Sequence, residues 1–211
     1  SNQDGKAFTL LYRAYALEVL NDSGGAESIY RQALALFEAS GNSGGACDAR
    51  ECLGFLLLSL DRNAEAEQLF QSALQLRQMQ AEPGGIATTC RGLARAAAAL
   101  GRLDEARAHF RRALELALDA QWIGTLLHTF VEIANFYAQL GDIEEAVRIL
   151  LSVLRDGRIV IPMQQQIRAR LATLLPALDT KTALEKQCSN KPLEVEAMAK
   201  ALISSLQDDD E

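Results

Sequence analysis

Apolar positions along this chain recur with two periods at once. Locally they follow the i, i+4, i+7, i+8 spacing of one buried helix face, and over the whole chain they return every 40 residues. Leu20, Leu60, Leu100 and Leu140 form one such column, followed directly by Asn21, Asp61, Gly101 and Gly141. Ala26, Ala66, Ala106 and Ala146 form another, then Tyr30, Phe70, Phe110 and Leu150. Ala33, Ala73, Ala113 and Val153 stand beside Leu34, Leu74, Leu114 and Leu154, and Gly44, Gly84 and Gly124 lie next to Gly5, Gly45 and Gly85. No insertion interrupts the register, so the chain is read as an array of one repeated unit.

Each unit reads as two helices. The first helices are predicted near 6–20, 46–60, 86–100 and 125–140, in Ala- and Leu-rich stretches without proline. Each ends at a turn carrying Asn, Asp or Gly, residues that stop one helix and cap the next. Second helices are predicted near 23–40, 63–80, 103–119 and 142–155. Gly44-Gly45 and Pro83-Gly84-Gly85 are expected to break the chain between units. Ala14, Gly54, Ala94 and Ala134 share a column on the first helix. Side chains this small let two antiparallel helices approach to roughly 8–10 Å between axes, with the aromatic column filling the next layer.

A small residue on the first helix, then Ala-x3-Phe-x2-Ala on the second, resembles the tetratricopeptide repeat, stretched here to 40 residues. The resemblance covers residues 6–158. It departs from the family pattern in two places: no tryptophan opens a first helix, and the proline that often ends the second helix is missing. It implies an all-α, right-handed superhelical solenoid of antiparallel helix pairs, with first helices lining a concave, partner-binding surface. The joint at Leu36–Gly45 is similar to a 40-residue form found in C-terminal sensor or partner-binding arrays of large bacterial regulators, ATPase-coupled transcription activators among them. That likeness implies a fragment of a larger bacterial regulatory protein.

The period fails after residue 158. Pro162 is expected to open a fifth first helix through about Leu175, with Leu178-Asp179 imitating the earlier joints. Asn190 to Gln207 reads as a last helix, with Asn190 as N-cap and Pro192 near its first turn. The domain reading is four repeats over 3–158, a degenerate fifth repeat and capping helix over 159–207, and a solvated acidic tail at 208–211. Ser1-Asn2 reads as the remnant of a cleaved tag.

Charge narrows the function classes. There are 21 basic and 28 acidic residues, a net −7, of which the last four residues supply −4. The remainder is close to neutral, so no nucleic-acid-binding surface is indicated. No apolar run reaches the roughly 18 residues of a membrane span. Cys47, Cys52, Cys90 and Cys188 form no CxxC pair, and His109 and His128 lie far from them, so no metal site is expected. A reduced cytoplasmic protein is the economical reading. There is no phosphate loop and no cofactor motif, and enzyme activity is not expected. His109 is assigned to an exposed Arg-rich stripe with Arg102, Arg107, Arg111 and Arg112, and Trp122 to a plug between repeats in preference to an exposed anchor for a partner.

Partner binding is the expected activity. By register, the concave columns are Phe8, Leu11 and Tyr15, then Asp48, Glu51 and Phe55, then Thr88, Arg91 and Arg95, and finally His128, Val131 and Asn135. Arg91 and Arg95 are one turn apart and could grip a carboxylate through forked donors. Alternatively they pair with Asp48 and Glu51 across the repeat boundary as a structural ion network. The partner is expected to be a protein or peptide segment, contacted without direct nucleic-acid or membrane binding. The second reading is a regulatory domain that senses a small metabolite or signalling peptide. Homo-oligomerisation through an end repeat is a third.

Overall fold

The computed structural model describes residues 2–178 and 194–207, and among them are only helices and their connections. They are α1 (Asn2–Val19), α2 (Ser23–Ser40), α3 (Ser43–Ser59), α4 (Asn63–Met79), α5 (Pro83–Ala99), α6 (Leu103–Asp119), α7 (Ile123–Leu140), α8 (Ile143–Leu154) and α9 (Ile161–Leu174). A short 3₁₀ turn at Leu175–Ala177 follows, and α10 (Val195–Ser205) comes last. Ser1, the Asp179 joint, Cys188, the expected cap Asn190, Pro192 and the tail 208–211 lie outside the described residues.

The 40-residue unit is two 20-residue helix-plus-turn modules. A left-handed residue recurs at Asn21, Gly41, Asp61, Ala81, Gly101, Gln121 and Gly141. One residue later, the amide donates to the carbonyl five positions back: Asp22 to Leu17, Asn42 to Phe37, Arg62 to Leu57, Glu82 to Arg77, Arg102 to Ala97, Trp122 to Ala117 and Asp142 to Tyr137. This is the Schellman closure, and the same residue then opens the next helix. Asp22, Asn42 and Asp142 cap it by accepting from the amides of Gly25, Gly45 and Glu145. Arg62 and Arg102 spend their side chains differently, bridging back to the preceding second helix. Arg62 joins Glu27 at 2.7 Å to Glu65 at 2.7 Å, and Arg102 joins Glu67 to Glu105 in the same way.

Ala81 and Gln121 hold φ of 51° and 54° without being glycine. An L-residue in that region costs roughly 1–2 kcal/mol, offset in part by glycine's larger unfolded-state entropy. Ala81→Gly and Gln121→Gly are each expected to stabilise the chain by about 0.5–1 kcal/mol, read from urea unfolding followed by circular dichroism. Unchanged or lowered midpoints would contradict this.

The chain forms two compact units, the first ending at His109 and the second beginning at Phe110, within α6. In the first unit successive helices α1 to α5 pack side by side, and the first helices α1, α3 and α5 also touch in turn. Phe70 is wholly buried, and a Cβ at either Gly54 or Gly92 would stand under 3 Å from its ring. Tyr30 is buried at the equivalent place and donates to Glu18 Oε2 at 3.1 Å. In the second unit α7 packs on α8, α8 on α9, and α10 on α7, where Tyr137 donates to Ser205 at 3.0 Å. Phe110 and Phe136, both buried, meet at 5.6 Å between ring centroids.

Several expectations change. The glycine pairs do not break the chain: Gly44-Gly45 and Gly84-Gly85 lie in the first turns of α3 and α5, with Pro83 opening α5. Amides in a first turn have no intrahelical partner to lose, so Gly and Pro are tolerated there. Their small size answers to packing, because a Cβ on Gly45 would strike the Phe37 ring and one on Gly85 would strike Arg77. The first helices therefore start earlier than predicted. His109 is half-buried rather than exposed, and that burial pushes its imidazole pKa down. Trp122 stands 44% exposed at the N-cap of α7, where a plug between repeats would be buried.

Candidate functional site

The expected contact columns fall where first helices α1, α3 and α5 present a face of the first unit. On α1, Phe8 is 38%, Tyr12 75% and Tyr15 54% exposed, a stripe at i, i+4, i+7 that nothing in the unit covers. Tyr12 was not among the expected contacts. Leu11, beside them, is half-buried against the core cluster around Phe37. The Phe8 ring rests edge-on against Phe37 at 4.9 Å.

Further along the same face, Phe55 on α3 packs edge-on against Phe70 at 4.9 Å. The Arg91 guanidinium from α5 sits 4.4 Å from the Phe55 ring centroid. A guanidinium over an aromatic face is held by the ring quadrupole, worth about 0.5–1 kcal/mol at a partly exposed site. Arg95 follows one turn later, and its charge reaches Glu18, whose carboxyl is nevertheless pushed above the ordinary range by burial.

Asp48 and Glu51 are held by a residue the sequence reading did not single out. Arg77, at the end of α4, is 5% exposed. Its Nη2 donates to Asp48 Oδ1 and, at 3.1 Å, to Glu51 Oε2, while Nε reaches Glu51 Oε1 at 3.3 Å. Its Nη1 donates to Glu82 Oε2 at 2.5 Å, and the Thr89 hydroxyl lies 2.5 Å from Glu51 Oε1. Asp48 and Glu51 thus pair with Arg77, from the second helix of the same pair. Glu51, expected as a contact, is a buried member of this cluster at 6% exposure. Burial pushes its carboxyl pKa up against the hydrogen bonds from Arg77 and Thr89. Burial alone would lower the Arg77 pKa, but the contacts with Glu51 and Asp48 outweigh it and leave it raised.

One signal for Arg77 was present in the sequence. Its column runs Phe37, Arg77, Ala117, and both apolar members are wholly buried. A charge in a core column requires buried partners.

In the second unit, His128 is exposed, Asn135 half-buried and Val131 buried on α7, so Val131 offers little to a partner. Asn135 Oδ1 accepts from Arg170 Nε on α9 at 3.1 Å. Among the described residues, no cluster of three or more His, Cys, Asp or Glu side chains could hold a metal ion, and no helix is long and apolar enough to cross a membrane.

No curated protein matches the chain. The crystal structure of BtubC (BKLC) from P. vanneervenii is similar, with a TM-score of 0.58 and 17% sequence identity over 98% of this chain and 89% of that one. At that identity the likeness establishes an all-α helical-repeat fold. Two stretches, residues 45–119 and 127–155, match the tetratricopeptide repeat family.

Proposed function

We propose that the first unit binds a protein or peptide segment on the face made by α1, α3 and α5, without catalysing a reaction. Tetratricopeptide repeats generally mediate protein–protein interaction and are typically non-catalytic. The observation that carries the reading is the exposure of Phe8 and Tyr15 on α1, in the columns of Asp48 and of Phe55, the ring on which Arg91 rests. Aromatic side chains give contact area at low entropic cost, and a guanidinium fixed on a ring has little ordering left to do. Phe8, Tyr15 and Phe55 supply apolar contact. Arg91 and Arg95 set orientation by charge, and Asp48 adds an acidic edge. Glu51 serves as a positioning group, neutralising Arg77 beneath the surface.

The wider setting is a module of a larger bacterial regulatory protein in the cytoplasm, supported by the likeness of the Leu36–Gly45 joint. The test uses the chain as bait in a bacterial lysate beside Arg91→Ala/Arg95→Ala, with any captured protein purified and its affinity for both baits measured. The double variant is expected to bind at least about tenfold more weakly with unchanged circular dichroism. Equal affinity for both baits would overturn the assigned face.

A further inference from the structure

On α1, opposite the buried Ala7 and Ala14, run Gly5, Thr9, Tyr12 and Ala16, all four exposed. Positions three and four apart share one side of a helix. The same positions 40 and 80 residues on, in α3 and α5, are buried, except Cys52, which is half-buried. They are buried because the preceding second helix lies on them. A Cβ on Gly45 would meet the Phe37 ring of α2, and Cβ atoms on Gly85 and Gly92 would meet Arg77 and Phe70 of α4. α1 therefore carries a helix-docking face that no described residue covers.

The relief of this face differs from that of α5. At the third of its positions α5 has Gly92, which makes room for the incoming Phe70 ring. α1 has Tyr12 there, 75% exposed, so a helix bringing a ring to that point would collide with it. At the first position, a Cβ on Gly5 would meet nothing within 4 Å. Glycine weakens a helix, and no contact within the chain requires it here. The complementary helix has a large side chain opposite Gly5 and a small one opposite Tyr12. α1 itself is such a helix. Gly5 and Tyr12 stand seven residues apart, the step that separates Gly85 from Gly92 and Arg77 from Phe70 across the antiparallel α4–α5 contact. Laid antiparallel on a copy in that register, each α1 sets its Tyr12 into the notch at the other's Gly5.

We propose that the chain self-associates through α1 as a two-fold symmetric dimer, the partner's Tyr12 filling the notch at Gly5 and Tyr12 filling the notch at the partner's Gly5. Such an interface is isologous, one patch meeting itself. A single helix pair buries on the order of 1,000 Å² in total, the lower edge of specific interfaces, so the dimer is a concentration-dependent one. Lys6 and Arg13 flank the stripe on one side, and the two-fold brings that flank against its own copy. Like charges meet there, so screening by salt should tighten the dimer.

Sedimentation velocity of the full chain, from about 5 µM to about 1 mM, is expected to show a monomer–dimer equilibrium that shifts to dimer with added NaCl. Gly5→Leu, which meets empty space in the monomer, should weaken the dimer about tenfold or more while leaving the thermal midpoint of a dilute sample unchanged or raised. Tyr12→Ala should weaken it to a like extent. Gly5→Tyr/Tyr12→Ala exchanges knob and notch and should restore association, because the two-fold sets position 5 against position 12. Met79→Ser, at an 83% exposed residue on α4, should change nothing. A chain monomeric throughout would overturn the proposal and leave the face to a helix of another protein. So would a dimer indifferent to Gly5→Leu, a double variant as weak as the single ones, or a dimer weakened by salt. Loss of the dimer in Met79→Ser would overturn it by placing the contact on another surface.

Discussion

Arg77→Met is expected to destabilise the protein by about 3–5 kcal/mol at neutral pH, the range for removing one partner of a buried charge pair, as read from urea unfolding. Asp48 and Glu82 are partly exposed and can turn to water once the guanidinium is gone. Glu51 cannot, being 6% exposed and left with the Thr89 hydroxyl. The deficit therefore resides in one carboxylate, and this gives it a pH signature. Burial already holds the Glu51 pKa above its ordinary value, and loss of Arg77 raises it further. A native state whose carboxyl pKa exceeds the unfolded value binds protons more tightly, so stability falls as pH rises between the two values. The loss in Arg77→Met should be greatest at neutral pH and shrink as pH drops below the raised value. A deficit independent of pH would mean that the lost packing of the arginine stem, rather than the stranded charge, sets the cost.

The repeat itself supplies the compensating change. Moving 40 residues back from Asp48, Glu51 and Arg77 gives Phe8, Leu11 and Phe37. There Phe8 stacks edge-on against Phe37, Leu11 packs against the same cluster, and Gly45 stands against the Phe37 ring as Gly85 stands against Arg77. One architectural position is filled by an aromatic–aliphatic trio in one repeat and by an ionic trio in the next. The triple variant Asp48→Phe/Glu51→Leu/Arg77→Phe should thus recover the stability lost in Arg77→Met. Buried ion pairs exchanged for packed apolar groups are often neutral or stabilising by about 1–4 kcal/mol.

The same comparison explains what could be read from the sequence. The helix pairs and the Ala26 and Phe70 columns were legible because every repeat places an alanine or a large apolar side chain at the same step. Arg77 and Gly92 were not, because their columns change chemistry between repeats: Phe37, Arg77, Ala117 and Tyr12, Cys52, Gly92, Glu132. The role of Gly85 was misread as a turn for a related reason. A glycine in a first helical turn and a glycine in a loop look alike until the side chain facing it is known. Arg170 lay beyond the periodic region altogether, where no column could assign it a face.

Phe70→Ala is expected to cost about 3–5 kcal/mol, the range for emptying a buried aromatic site. Its distinctive consequence lies in how it couples to Gly92. The Phe70 ring is sandwiched by Gly54 and Gly92, and a Cβ on Gly92 would stand 2.4 Å from Phe70 Cε1. The ring is wholly buried and has no solvent side to move into. Alanine exceeds glycine in helix propensity by about 0.8–1 kcal/mol, whereas forcing a methyl into a filled core costs roughly 1–3 kcal/mol. Gly92→Ala should therefore destabilise the wild-type protein, because the clash outweighs the propensity. In the Phe70→Ala background the clash is absent and only the propensity remains, so the same substitution should stabilise. A double-mutant cycle in urea is expected to show that change of sign, with a coupling energy of about 1–3 kcal/mol. If Gly92→Ala had the same effect in both backgrounds, glycine at this position would not be required by the ring, and the close approach of α5 to α4 would need another cause.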